Sequence, residues 1–245
     1  MTRKQYFSSG LKDGMPICFG YFAVSFAFGI QAAGIGLSVF EASVLSALNV
    51  TSAGQFAALA IIASGASLIE LAFTQLIINL RYFLMSCALS QKLSPSLPLG
   101  HRLGIAYGMT DEIFAVSVSQ REPLSPFYSY GLIAVAIPGW VLGTALGAAA
   151  GNILPAVLTN ALGIAIYGMF IAIILPPAKE NRVVAGVVVL SMVLSALFTY
   201  LPVLFNISSG FRIIVITLIT AGGAALLFPI PDEPAEPEKE MPHEG

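Results

Sequence analysis

The stretch FYSYGLIAVAIPGWVLGTALGAAAG, Phe127 to Gly151, lies inside a run from Pro123 to Ala178 that contains no Asp, Glu, Lys or Arg. A run of that length exceeds the roughly 20 apolar residues needed to cross a bilayer core. Gly14 to Phe40, Ala42 to Ile69 and Val183 to Phe211 are likewise free of charge and long enough, and Ile213 to Pro231 is charge-free but shorter. Over the whole chain of 245 residues, 57% are hydrophobic and 10% charged, against roughly half and a quarter in ordinary soluble domains. These features define a polytopic membrane protein with little left for a soluble domain.

The fold class is all-α, a bundle of transmembrane helices. Breaks of Gly, Pro, Ser or charge divide it into about eight candidate helices: 15–35, 40–62, 66–90, 101–120, 127–151, 154–175, 182–204 and 210–229. Arg102, Asp111 and Glu112 make 101–120 the exception. It is either a span shielded inside the bundle or a segment that stops short, in which case the count is seven. Residues 1–12 form an N-terminal segment, 13–229 the transmembrane domain, and 230–245 an acidic, Pro-rich tail whose composition cannot bury a core and is expected to be disordered.

Arg3, Lys4 and Lys12 precede the first apolar segment, which is too long for a signal-peptide core of roughly 7–15 residues. It is read as an uncleaved span. With eight crossings, Arg3, Lys4, Lys12, Arg121, Lys179 and Arg182 fall on one side and Lys92, Arg102 and Arg212 on the other. The excess of positive charge places both termini in the cytoplasm.

Pro16, Gly20, Gly29, Gly34 and Leu37 are echoed in rough spacing by Pro138, Gly143, Gly147, Gly151 and Leu154, which reads either as an internal repeat of the kind found in transporters or as the easy alignment of Gly-rich apolar helices. Gly143, Gly147 and Gly151 also form a doubled small-xxx-small pattern, and Gly104 with Gly108 a single one, which lets helix backbones approach closely.

Ser43, Ser46, Asn49, Ser52 and Gln55 recur at every third position, so the polar row drifts by roughly 60° per step around a regular helix. Such a row suits a helix enclosed by protein, or one that breaks near Gly54. Unwound backbone is tolerated in a membrane only where protein or a wet cavity satisfies it. Ser52, Gly54 and Gln55 are therefore candidate substrate contacts, with interhelical hydrogen bonding as the plainer reading.

In QLIINLRYFLMS, Gln75 to Ser86, the residues Asn79 and Arg81 differ by roughly 200° around a helix axis. Gln75, Asn79 and Ser86 share one side, where they can line a cavity. Arg81 shares its side with Glu70, roughly 16 Å away along the axis, and so needs a carboxylate from another helix. Asp111 and Glu112 are the candidates. Intramembrane ionisable groups commonly mark transport paths, although a fixed ion pair that orients helices, or a snorkelling Arg81, fits the same residues.

Ser52-Ala-Gly-Gln-Phe56, Asn79-Leu-Arg-Tyr82 and Met109-Thr-Asp-Glu-Ile-Phe-Ala115, in that order, resemble the AzlC family of branched-chain amino acid permeases. The resemblance extends to the Gly-x-Pro entry at Gly14 to Pro16 and covers about residues 10 to 228. Gly54 departs from it, standing where Ser is common.

The resemblance implies an inner-membrane exporter of branched-chain amino acids and their analogues, working with a small hydrophobic subunit of the AzlD type. On this reading Ser52, Gly54, Gln55 and Asn79 contact substrate, while Arg81, Thr110, Asp111 and Glu112 form the coupling or gating element. A channel, or a scaffold subunit whose partner carries the pathway, is the alternative.

No cofactor, metal or nucleic-acid partner is implied. Cys18 and Cys87 are the only cysteines and lie in apolar spans. An enzyme is disfavoured: HExxH and GxSxG are absent, His101 and His243 lie near an interface and in the tail, and the three aspartates offer no midspan pair.

Overall fold

The computed structural model describes residues 2–120, 123–151, 153, 168, 171, 174–201 and 207–229. Most of the expected helix 154–175, with Leu154 of the proposed echo, and the 230–245 tail lie outside the described residues. The rest is helical, with α1 (Arg3–Gly34), α2 (Val39–Leu48), α3 (Ser52–Ala63), α4 (Leu68–Lys92), α5 (Leu99–Tyr107), α6 (Asp111–Val118) and α7 (Pro126–Gly151). Residues 174–180 are helical. Then follow α8 (Arg182–Tyr200), α9 (Ser209–Thr217), a π-helical turn (Leu218–Gly222) and α10 (Gly223–Leu227). Five helices among the described residues are long and apolar enough to cross a membrane: α1, α4, α7, α8 and the continuous stretch Gly210–Leu227.

The centre of the fold is a parallel pair, α1 and α7. Gly10 rests on Gly131, Gly14 on Leu132, Cys18 on Gly139, Phe26 on Gly147 and Ile30 on Gly151, so the two chains advance together. The small-residue pattern read from the sequence therefore packs within this chain. The first members of the echo, Pro16 and Pro138, both sit inside these helices.

The contact is close enough that a Cβ on Gly147 meets the Phe26 carbonyl oxygen, with the Phe26 Cα 2.9 Å away. Gly20 of α1 faces open space. Gly147→Leu is therefore expected to cost at least the about 1–3 kcal/mol typical of overpacking, and Gly20→Leu very little. Thermal unfolding in detergent checks both.

The end of the bundle bearing the α1 N-terminus is called proximal below, and the end bearing Gly34 and Gly151 distal. Two of the expected full-length helices, 40–62 and 101–120, do not continue straight. Each is broken into two short helices that fold back on themselves.

Helix α2 starts at the distal end, where Ala42 packs with Ala32 and Ala148, and Leu59 of α3 belongs to the same cluster. Deeper in, Gln55 Nε2 of α3 donates to Ser46 Oγ of α2 at 2.8 Å. The pairs Ala42 with Leu59 and Ser46 with Gln55 define an antiparallel hairpin whose tip is Asn49 to Thr51. The short turn at Ser64 to Ser67, with Gly65 at φ +66, then launches α4 back toward the proximal end.

The second hairpin enters from the opposite end. His101 Nδ1 of α5 lies 2.8 Å from the Tyr130 hydroxyl near the start of α7. Just beyond α6, Gln120 Nε2 donates to the Tyr128 hydroxyl at 3.0 Å. Both legs thus open at the proximal end, and the tip is Gly108 to Thr110. Lys92, ending α4, donates from Nζ to the Val118 carbonyl at 2.6 Å, a cation on the C-terminal carbonyls of α6.

Neither 101–120 nor 40–62 is thus a single helix long enough to cross a membrane. Lys92 and Arg102 consequently fall on the proximal end with Arg3 and Lys4, not opposite them.

Both hairpins are short enough to reach only mid-bilayer. Helices of 10 and 12 residues measure about 15 and 18 Å, and those of 9 and 8 about 13 and 12 Å, against a core of about 30 Å.

Glu70, 6% exposed in α4, accepts a 2.8 Å hydrogen bond from the Gly210 amide at the start of α9. That contact places the first turn of α9 at the distal end. Helix α8 has no buried residue among those described.

Candidate functional site

The two tips meet beside α1, α4 and α7 around a cavity of about 350 Å³, within the range of small-molecule sites. The first tip contributes Val50, Thr51, Ser52 and Ala53, and the second Thr110, Asp111 and Glu112. Tyr21 and Val24 come from α1, Arg81 and Tyr82 from α4, Trp140 from α7, with Ile174 beyond.

Each tip is held by a threonine N-cap. The Thr51 hydroxyl oxygen accepts from the Gly54 amide at 3.1 Å, and the Thr110 hydroxyl oxygen from the Ile113 amide at 3.3 Å. Such caps satisfy one of the amides a helix start leaves without an intrahelical partner.

Of the residues proposed from the sequence, Ser52, Arg81, Thr110, Asp111 and Glu112 line this cavity. Arg81 Nη1 lies 2.9 Å from Asp111 Oδ2, with both side chains 42% exposed, so Asp111 supplies the counter-charge. Arg81 also donates to the Tyr82 hydroxyl at 3.1 Å. Its guanidinium carbon sits 4.9 Å from the Tyr82 ring centroid.

Glu112 is engaged elsewhere. Its Oε2 accepts from the Tyr21 hydroxyl at 2.6 Å, and the same hydroxyl oxygen lies 2.5 Å from Thr110 Oγ1. Tyrosine has one proton, which the carboxylate can only accept, so the Thr110 hydroxyl supplies the proton of the second bond. The result is a directed chain from α6 through α1 back to α6.

Gln55, Gly54 and Asn79 are not brought into the cavity. Gln55 is fully buried, accepting from Trp140 Nε1 at 2.8 Å and donating to Ser46, which lies 2.6 Å from Thr144. This chain ties the first hairpin to α7.

Asn79 accepts from the Thr51 hydroxyl at 3.0 Å and donates to Gln75 at 3.0 Å, while Gln75 donates to the Gly54 carbonyl at 2.7 Å. These bonds tie the same tip to α4. A Cβ at Gly54 would lie 2.7 Å from Gln75 Oε1 and 2.9 Å from Thr51 Oγ1, so a larger residue here requires these hydrogen-bonding side chains to shift. The division of Asn79 from Arg81 is thus between a tip anchor and a cavity charge.

Tyr21, Trp140 and Val50 were missed by the sequence reading. Trp140 is the single tryptophan, and its buried indole N–H needed an acceptor. It packs edge-on to Tyr21, with centroids 5.3 Å apart, and together they form an aromatic wall.

The AzlC protein family model matches residues 16–154, a stretch that contains both hairpins and the cavity charges. The chain belongs to the AzlC family. It is 35% identical over 189 residues to an "Uncharacterized membrane protein" of Archaeoglobus fulgidus, covering 76% of this chain and 83% of that relative. It is 31% identical over 184 residues to "Inner membrane protein YgaZ" of Escherichia coli, covering 72% of this chain and 75% of the relative. No solved structure matches. As an AzlC-family membrane protein, the chain carries Arg81, Asp111 and Glu112 at the meeting point of its two hairpins.

Proposed function

We propose that this protein is a secondary transporter that exports branched-chain amino acids of the valine type, or their analogues, from the cell, together with a small AzlD-type membrane subunit. One observation carries the reading: a mid-bundle cavity, built where two hairpins inserted from opposite ends meet, presents both charge signs beside an apolar wall. Hairpins of this kind put backbone polarity at the midplane only where a cavity or protein satisfies it. A free amino acid carries a carboxylate, an ammonium and a side chain, and the cavity offers a counterpart to each.

The Escherichia coli relative is named an inner membrane protein, which supports the bacterial inner membrane as the location of this chain. Lys92 and Arg102 join Arg3 and Lys4 at the proximal end, which favours that end as cytoplasmic. An 18-residue stretch starting distally at Gly210 is about 27 Å long, enough to return the C-terminus to the same side.

Counterflow of labelled valine into liposomes, with this chain alone and with its small partner, tests the assignment. Saturable uptake with competition by valine analogues is expected. Non-saturating conductance supports a channel instead, and no stimulation under either condition removes the substrate.

A further inference from the structure

The two hairpin tips differ in electrostatic character. The first turn of α3 contains no acidic residue, so the partial positive charge of its start is not offset from within the helix. The first turn of α6 contains Asp111 and Glu112, whose carboxylates outweigh the roughly half charge of their own helix terminus. Arg81 stands in the same cavity, paired with Asp111.

We propose that the substrate lies across the gap between the two tips. Its carboxylate sits on Arg81 and the α3 side, its ammonium on Glu112 and Asp111 of the α6 side, and its aliphatic group against Val24, Val50, Trp140 and Ile174. This orientation rests on the amino-acid reading above and makes Glu112 and Arg81 the two residues that recognise the zwitterion.

Charge accounting gives the selectivity. A substrate carboxylate reaches Arg81 by displacing Asp111, and the displaced carboxylate, next to Glu112, is balanced by the incoming ammonium. A 2-hydroxy acid displaces Asp111 but brings no cation. An amine brings the cation but forgoes the contact with Arg81. Only the zwitterion engages Arg81 and the α6 carboxylates at once.

The test is competition against labelled valine counterflow by the full chain with its partner in liposomes, using unlabelled valine, 2-hydroxy-3-methylbutanoate and isobutylamine. On the unaltered protein each single-charge analogue is expected to compete at least tenfold more weakly than valine. Glu112→Gln is expected to raise the KM for valine at least tenfold and to narrow its advantage over the hydroxy acid. Equal competition by either analogue on a protein that does transport valine overturns the orientation alone, and needs no variant to fold. Failure of valine while another zwitterionic amino acid is exchanged, with the same discrimination, keeps the orientation and removes the branched-chain assignment. No exchange of any amino acid removes both.

Discussion

Replacing Arg81 by leucine is expected to lower the initial rate of valine counterflow at least 100-fold while leaving the protein folded and inserted. The two halves of that expectation have different physical origins. Arg81 and Asp111 are each 42% exposed to the cavity, so the pair is screened by water. Its loss costs stability closer to the about 0.2–1 kcal/mol of exposed pairs than to the 3–5 kcal/mol of broken buried ones. For a bound substrate the same cation is the counter-charge of a carboxylate in a confined space, and a hundredfold effect needs only about 2.7 kcal/mol of lost interaction.

Arg81→Lys keeps the charge but not the planar fork or the stacking on Tyr82, and is expected to fall between. The exchange Arg81→Asp with Asp111→Arg separates a structural from a transport role. It restores an ion pair between α4 and α6, yet puts a carboxylate where the Arg81 cation stood, so the fold is kept and flux is not. Wild-type flux in either Arg81→Leu or the exchange would remove Arg81 from the transport step.

The sequence made the membrane class and most of the cavity charges legible because those depend on composition and on the cost of ionisable groups in a bilayer. Arg81 needed a carboxylate from another helix, and the two candidates were adjacent at Asp111 and Glu112. The hairpins were not legible in the same way. Hydropathy records how apolar a segment is, and Ala42 to Ile69 is long enough to cross, but it carries no information about whether the chain turns back. Thr110-Asp-Glu is a helix-start signal of the kind that could have marked the second tip. Thr51, with no acidic residue after it, offered less.

The polar row from Ser43 to Gln55 allowed a break or an enclosed helix; the structure has the break, at Asn49 to Thr51, and leaves Leu48 of α2 exposed. For Gln55 the local sequence leaves substrate contact and interhelical hydrogen bonding both open, because its partner Trp140 is 85 positions away. Gly54 shares that pair of readings, and Asn79 is placed only by the helix face it shares with Gln75. Their hydrogen bonds and close contacts instead fix the tip against α4.

Single cysteines introduced in a background lacking Cys18 and Cys87 are expected to label in pairs. Glu41 and Ser64, near the mouths of the first hairpin, should react with a membrane-impermeant maleimide from one face only. Gly100 and Ser119, near the mouths of the second, should react only from the other. Straight crossing helices would instead put Glu41 and Ser64 on opposite faces, and likewise Gly100 and Ser119, so the readout is all or none. The pattern matters for transport because a hairpin can shift along its own axis while its mouth stays at one face. Tips that enter from opposite faces put the uncharged α3 start and the acidic α6 start on opposite sides of a single cavity. A substrate that contacts both would sense movement of either, and alternating access requires a site that answers to both faces.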